Sequence, residues 1–203
     1  VRHDRFTPEA PSALGARAVI FGGHLTETGS FAPGTRDGLL AYASAPDRPL
    51  LGLCGGHQLI AEAHGGQSGP IVPGTDPARD LPCLASIDLS RSAVERPSVR
   101  RGYLGVEIER DHALFADVPP GGRFLHMHYW HVAEMPAGFD VLARSRDGVV
   151  QAMAHRERPT FGVQFHPEGF SEAHPAGAHL LRAFLDLAPS SGIAAAAGRA
   201  GAA

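Results

Sequence analysis

The chain contains no lysine; all 18 of its basic residues are arginine. That absence excludes a Schiff-base lysine and a lysine-bearing phosphate loop, so an ATP-driven step would belong to another polypeptide. The sequence has no apolar run close to the ~20 residues that cross a bilayer. Its first residues (Arg2, His3, Asp4, Arg5) are polar, unlike a secretory signal. An excess of charge of one sign is also missing. A net charge of -3 gives no reason to expect nucleic acid or an anionic membrane as a partner. Cysteine is scarce: Cys54 and Cys83 are the only two. The setting of Cys54 calls for a free thiol, so a reducing, cytoplasmic location is expected. Cys83, in a proline-rich stretch, reads as a passive thiol whose pairing with Cys54 would abolish activity.

What remains is enough for one domain with a substantial core: 203 residues, 43% of them hydrophobic. Residues 16–21 are apolar and β-prone and end at Gly22-Gly23, a strand-then-turn pattern. Residues 35–45 fit a helix, with Leu39, Leu40 and Ala43 on one face. Arg48-Pro49 leads into a strand over 50–53, and a helix follows from about Gly55. This strand–helix alternation predicts a parallel sheet covered by helices. Residues 65–81, rich in Gly, Pro and Asp, read as loop. Short strands are expected over 84–89, 104–108, 123–132, 139–144, 149–155 and 160–165, paired antiparallel at the edge of the sheet. A last helix is expected over 175–187. From 189 to 203 the chain is mostly Ala, Gly and Ser, and a disordered tail is expected after a domain of residues 1–188.

The chemistry concentrates in two segments. Gly52-Leu53-Cys54-Gly55-Gly56-His57-Gln58 places a thiol on a tight strand-to-helix turn. A thiol attacks as thiolate, and an ordinary cysteine, with a pKa of about 8.5, is mostly protonated at neutral pH. The unpaired N–H groups of a helix start favour the anion, and a nearby imidazole favours it further. Gly52, Gly55 and Gly56 relieve crowding at such a turn, and the Gly55 N–H is placed to hold an oxyanion. The second segment, Phe161 to Glu168, carries His166 and Glu168 on either side of Pro167. An extended chain would put both side chains on one face, so the carboxylate can orient the imidazole. Nucleophile Cys54, base His166 and orienter Glu168 together suit acyl transfer through a thioester. Each piece alone is weak, since a lone buried cysteine is usually a core residue and a lone histidine before proline is usually structural.

Residues 51–58, with the pattern G-x-C-x-G-x-Q, and residues 162–168 resemble the class I glutamine amidotransferases, whose glutaminase domains carry a Cys-His-Glu triad. The resemblance runs from about residue 1 to residue 187. It implies a three-layer α/β fold, an open and mostly parallel sheet with helices on both faces and an antiparallel edge. It implies that Cys54 attacks the side-chain amide carbon of glutamine, that His166 protonates the departing ammonia, and that water then releases glutamate. The Val19–Gly23 segment is similar to the one that supplies the other oxyanion N–H, assigned to Gly23. Gln58 matches a substrate-binding glutamine, and Tyr129-Trp130 align with a segment that holds the substrate's amino-acid end. Ammonia would pass to a synthase; no synthase-sized region follows residue 187, so the partner is expected to be a separate chain. No cofactor and no metal is implied.

The sequence also departs from the family. The strand and helix that usually precede the segment matching residues 1–14 are absent, so the sequence is expected to begin late. Gly55 stands where a larger apolar residue is common, which suggests an oxyanion hole that forms only when a partner binds. His24 stands where proline is common.

Other constellations read more plainly. His126 and His128 would share a strand face that His131 does not, without a neighbouring ligand set for metal, so lining of a substrate site or an interface is expected. Arg96, Arg100 and Arg101 read as a solvated face, with docking to an acidic surface as the other option. Two other functions remain open. A γ-glutamyl hydrolase would transfer the γ-glutamyl group to water from other amides or peptides; a binding module would keep only the fold, against which the intact triad argues.

Overall fold

The computed structural model describes residues 1–24, 30–71 and 100–188. The expected strand over 84–89, Cys83, Arg96 and the stretch from 189 to 203 lie outside the described residues. In chain order come α1 (Ala10–Ala13), β1 (Val19–Phe21), α2 (Asp37–Ser44), β2 (Leu50–Leu53), α3 (Gly55–Ala63), β3 (Gln67–Pro70) and β4 (Arg100–Gly105). There follow β5 (Glu107–Ile108), β6 (Arg123–His128), β7 (Trp130–Glu134), β8 (Phe139–Arg144), β9 (Val150–His155), β10 (Thr160–Val163) and α4 (Ala176–Asp186).

All four residues of β2 and of β10 are buried, so neither strand alternates between covered and exposed residues, as a sheet covered on both faces requires. β2 is central: Val19 pairs with Leu50 on one side and Phe161 with Leu51 on the other, both parallel. The six-stranded sheet runs β1-β2-β10-β9-β8-β5, with β9, β8 and β5 joined antiparallel. Leu50 and Leu51 face opposite layers. Leu51, Leu53 and Val163 pack with Leu180 and Phe184 of α4. Leu50, Val19 and Phe21 pack with Tyr42 of α2 and with Leu59 and Ile60 of α3. Each such side chain, fully buried, contributes about 1.5–3 kcal/mol.

Two expectations change. β4 with β6, and β3 with β7, form separate two-stranded ribbons rather than a continuation of the sheet edge. β6 buries alternate residues (Phe124, His126, His128), the pattern of a strand with one covered face. β3 lies in a stretch read as loop; its Gly69 and Pro70 hide a strand whose pairing comes from β7. Among the described residues, no helix is long and apolar enough to cross a membrane.

Close approach of α3 to the sheet is what fixes the turn at its start. A Cβ on Gly56 would lie 2.3 Å from the Phe21 carbonyl oxygen, and one on Gly52 would lie 2.4 Å from the Gly56 carbonyl oxygen. Only glycine lets strand and helix meet at that distance.

Candidate active site

Cys54 stands at the carboxyl end of β2, where open α/β sheets place their sites. Its backbone has φ 50° and ψ -107°, and it is the one non-glycine residue with positive φ among the described residues. Such a conformation costs of order 1–3 kcal/mol and persists only where its surroundings enforce it. Here the Cys54 N–H donates to the Val163 carbonyl (2.8 Å) and the Gln58 N–H donates to the Cys54 carbonyl (3.2 Å). The residue is thus pinned between β10 and α3, and it is 6% exposed.

His166 lies just past β10, where its N–H donates to the Leu125 carbonyl of β6 at 2.7 Å. The extended path expected from His166 to Glu168 is not observed. Pro167–Gly169 form a single 3-10 turn with proline at its first position, which suits the fixed φ of that residue. The turn still brings Glu168 Oε1 to 2.7 Å from His166 Nδ1. With Nδ1 engaged, Nε2 is the nitrogen left to carry a proton. It is buried, with the Cys54 side chain as its neighbour. Burial opposes an imidazolium here, but the neighbouring Cys54 and Glu168 outweigh it and hold the His166 pKa up to about 10. Burial likewise opposes the Glu168 carboxylate, and the His166 contact holds its pKa below the ordinary value.

The other candidate residues fall into three places. A Cβ on Gly23 would sit 3.0 Å from His166 Cε1, 3.2 Å from Cys54 Cβ and 3.7 Å from Cys54 Sγ, so the Gly23 backbone covers the thiol and the imidazole together. Gly55 is the first residue of α3, where N–H groups lack intrahelical partners. Gln58 is buried, and its amide donates to Gln164 Oε1 at 3.2 Å. Tyr129 and Trp130 lie at the β6–β7 junction, past the strand that pairs with His166.

Gln164 is the residue that sequence reasoning passed over. It is fully buried, and its Nε2 donates to Cys54 Sγ at 3.7 Å, a sulfur-length hydrogen bond. Its position two before His166, within the same short segment, is the signal that was available.

His126 and His128 are 1% and 3% exposed, so they line no surface. Their rings meet at 3.3 Å, and His128 Nδ1 lies 3.0 Å from the Trp130 carbonyl oxygen. Arg100 is also buried rather than solvated: strand alternation turns it inward, where it forms an ion pair with the equally buried Asp147. A cavity of about 450 Å³ is lined by Gly22, Gly23, His24, Phe31, Arg36 and Gly55, among others. Cys54 and His166 are not in its wall, so it adjoins the glycine turns rather than the thiol itself.

The family description Glutamine amidotransferase class-I matches this chain over residues 16–187. The glutamine-hydrolyzing GMP synthase subunit of Thermococcus kodakarensis is 32% identical over 181 residues, covering 88% of this chain and 79% of that protein. The protein of the same name from Methanocaldococcus jannaschii is 34% identical over 120 residues, 59% of this chain and 50% of that protein. The aminodeoxychorismate synthase of Streptomyces griseus is 32% identical over 165 residues, 81% of this chain but 19% of that protein. Among solved structures, a GMP synthase subunit from Thermoplasma acidophilum superimposes with a TM-score of 0.67 at 21% identity. It covers 93% of this chain and 79% of that chain, a likeness of fold.

Proposed function

The chain belongs to the class I glutamine amidotransferases, and from that premise we propose that it is a glutaminase component in which Cys54, His166 and Glu168 hydrolyse glutamine to glutamate and ammonia. The observation that carries this is the His166 ring, with Nδ1 engaged by Glu168 and the buried Nε2 beside Cys54.

Cys54 Sγ attacks the side-chain amide carbon, and the amide oxygen becomes an oxyanion held by the Gly23 and Gly55 N–H groups. His166 Nε2 gives its proton to the departing nitrogen, the C–N bond breaks, and ammonia leaves a glutamyl thioester. His166 then takes a proton from water; the hydroxide adds to the thioester, and the C–S bond breaks to release glutamate. Glu168 keeps the ring oriented through both steps. Gln58 and Gln164, buried and mutually bonded, hold polar groups against the thiol, and we assign substrate contact to Gln58, Tyr129 and Trp130.

The relatives named as the glutamine-hydrolyzing part of GMP synthase suggest that ammonia is delivered to a separate synthase chain. Aminodeoxychorismate synthase, equally similar, is named for a different product, so the relatives support the glutaminase activity rather than any one acceptor. A free catalytic thiol favours a reducing compartment, so we place the protein in the cytoplasm.

Glutamate release from glutamine tests the assignment. Cys54→Ala should lower the rate by about 10⁴-fold or more, as removal of a triad nucleophile does. Retention of a tenth of the rate would overturn the cysteine mechanism. Preference for γ-glutamyl peptides over glutamine, with no stimulation by any synthase, would favour the hydrolase reading instead.

A further inference from the structure

Position 55 has no side chain, yet the place where one would sit is filled. A Cβ on Gly55 would fall 2.3 Å from Cδ2 and 2.4 Å from Nε2 of His24. The His24 ring is itself braced. It meets Phe31 edge to face, with centroids 5.0 Å apart, and the Arg36 guanidinium lies 5.3 Å over the Phe31 ring. Arg36 is ion-paired with Glu62, which also accepts a hydrogen bond from Ser68. A continuous set of contacts therefore leaves α3 at Glu62, passes through Arg36, Phe31 and His24, and returns to the first residue of the same helix.

His24 is also bonded in sequence to Gly23, whose backbone covers the thiol and the imidazole. One residue thus packs its ring at one candidate oxyanion donor and is bonded directly to the other. Both donors are glycines, with the backbone freedom to turn an N–H away. The cavity at the glycine turns reaches the same residues, so without the ring the turn would border open space.

We propose that His24 is a positioning residue: its ring replaces the side chain that position 55 lacks and holds the Gly23 and Gly55 N–H groups aimed at the oxyanion. This rests on the glutaminase reading. On this proposal the bracing is internal to the chain and needs no partner.

The test compares His24→Ala, His24→Phe, Gly55→Ala and the double His24→Ala/Gly55→Ala variant, by glutaminase kcat and KM, with a thermal melt of each protein. His24→Ala should lower kcat about 10- to 100-fold while KM stays within about threefold, because the oxyanion contacts exist only in the transition state. His24→Phe, which refills the space, should retain more kcat than His24→Ala. Gly55→Ala should also lose kcat, since its methyl meets the ring. The double variant should recover about fivefold or more over Gly55→Ala, because the methyl then enters the vacated space. Independent, multiplying losses at 24 and 55 would overturn the proposal. If Gly55→Ala does not fold, equal losses in His24→Phe and His24→Ala overturn it. An active Cys54→Ala control would sink the glutaminase reading and this inference together; an inactive control with independent losses sinks the inference alone.

Discussion

Replacing Glu168 by Gln removes a charge and leaves the shape. Glu168 Oε1 lies 2.7 Å from His166 Nδ1, with the histidine side chain 13% exposed and the carboxylate 48% exposed. A hydrogen bond to a charged group contributes about 1.5–3 kcal/mol. Half of this carboxylate faces solvent, so the lower end applies, and about 1.5 kcal/mol is roughly tenfold in rate. A larger loss, toward a hundredfold, is expected if the new amide offers its NH2 to Nδ1 and forces the wrong tautomer. The same contact helps hold the His166 pKa up to about 10, so Glu168→Gln should also move the alkaline limb of the kcat profile to lower pH. Steady-state glutamate release from pH 6 to 10, in both proteins, reads both effects. A kcat within twofold of the unsubstituted protein, with an unmoved alkaline limb, would show that Glu168 orients nothing. A loss as deep as that of Cys54→Ala would show a larger role than orientation.

Two further outcomes concern stability. At an ordinary position glycine is about 0.5–1 kcal/mol less stable than alanine. At Cys54, with φ 50° and ψ -107°, the order should reverse, with Cys54→Gly melting above Cys54→Ala by the equivalent of about 1 kcal/mol; a lower melt for the glycine variant contradicts the strain. The pH dependence has two opposing parts. Burial lowers the pKa of His57 to about 3 and that of His128 well below its ordinary value, so both fold neutral, while the unfolded chain protonates them near 6.5. Stability is then complete above about pH 6.5 and falls as pH drops toward 3, by about 2 kcal/mol from His57 alone at pH 5. His166, raised to about 10, has the other sign: its contribution is present below about 6.5 and is lost as pH rises toward 10. Urea midpoints should therefore peak near neutral pH, and a midpoint that rises from pH 7 to pH 5 would refute the buried neutral histidines.

Much of this site is local in sequence, and that part was readable. The strand, the glycines and the helix around Cys54 lie within a dozen residues, and each has its own chemical signature. His166 and Glu168 are two apart, so their contact needed only a compact path, although the path is a turn rather than a strand. What escaped depends on partners from elsewhere. β3 is a strand because β7 pairs with it. Arg100 is buried because Asp147 meets it. Gln164 matters because Gln58 and Cys54 converge on it from another strand and helix. No window of sequence around any of these residues contains its partner.

The central place of β2 also orders events in time. Leu50–Leu53 gain their second neighbour only when Thr160–Val163 pair with them, and the same pairing carries Val163 to the Cys54 N–H and sets His166 beyond it. During synthesis Cys54 is made long before His166. Until β10 pairs with β2, Cys54 lacks the Val163 carbonyl that pins its backbone and the imidazole that lies beyond it. Closure of the sheet and the meeting of Cys54 with His166 are therefore a single event.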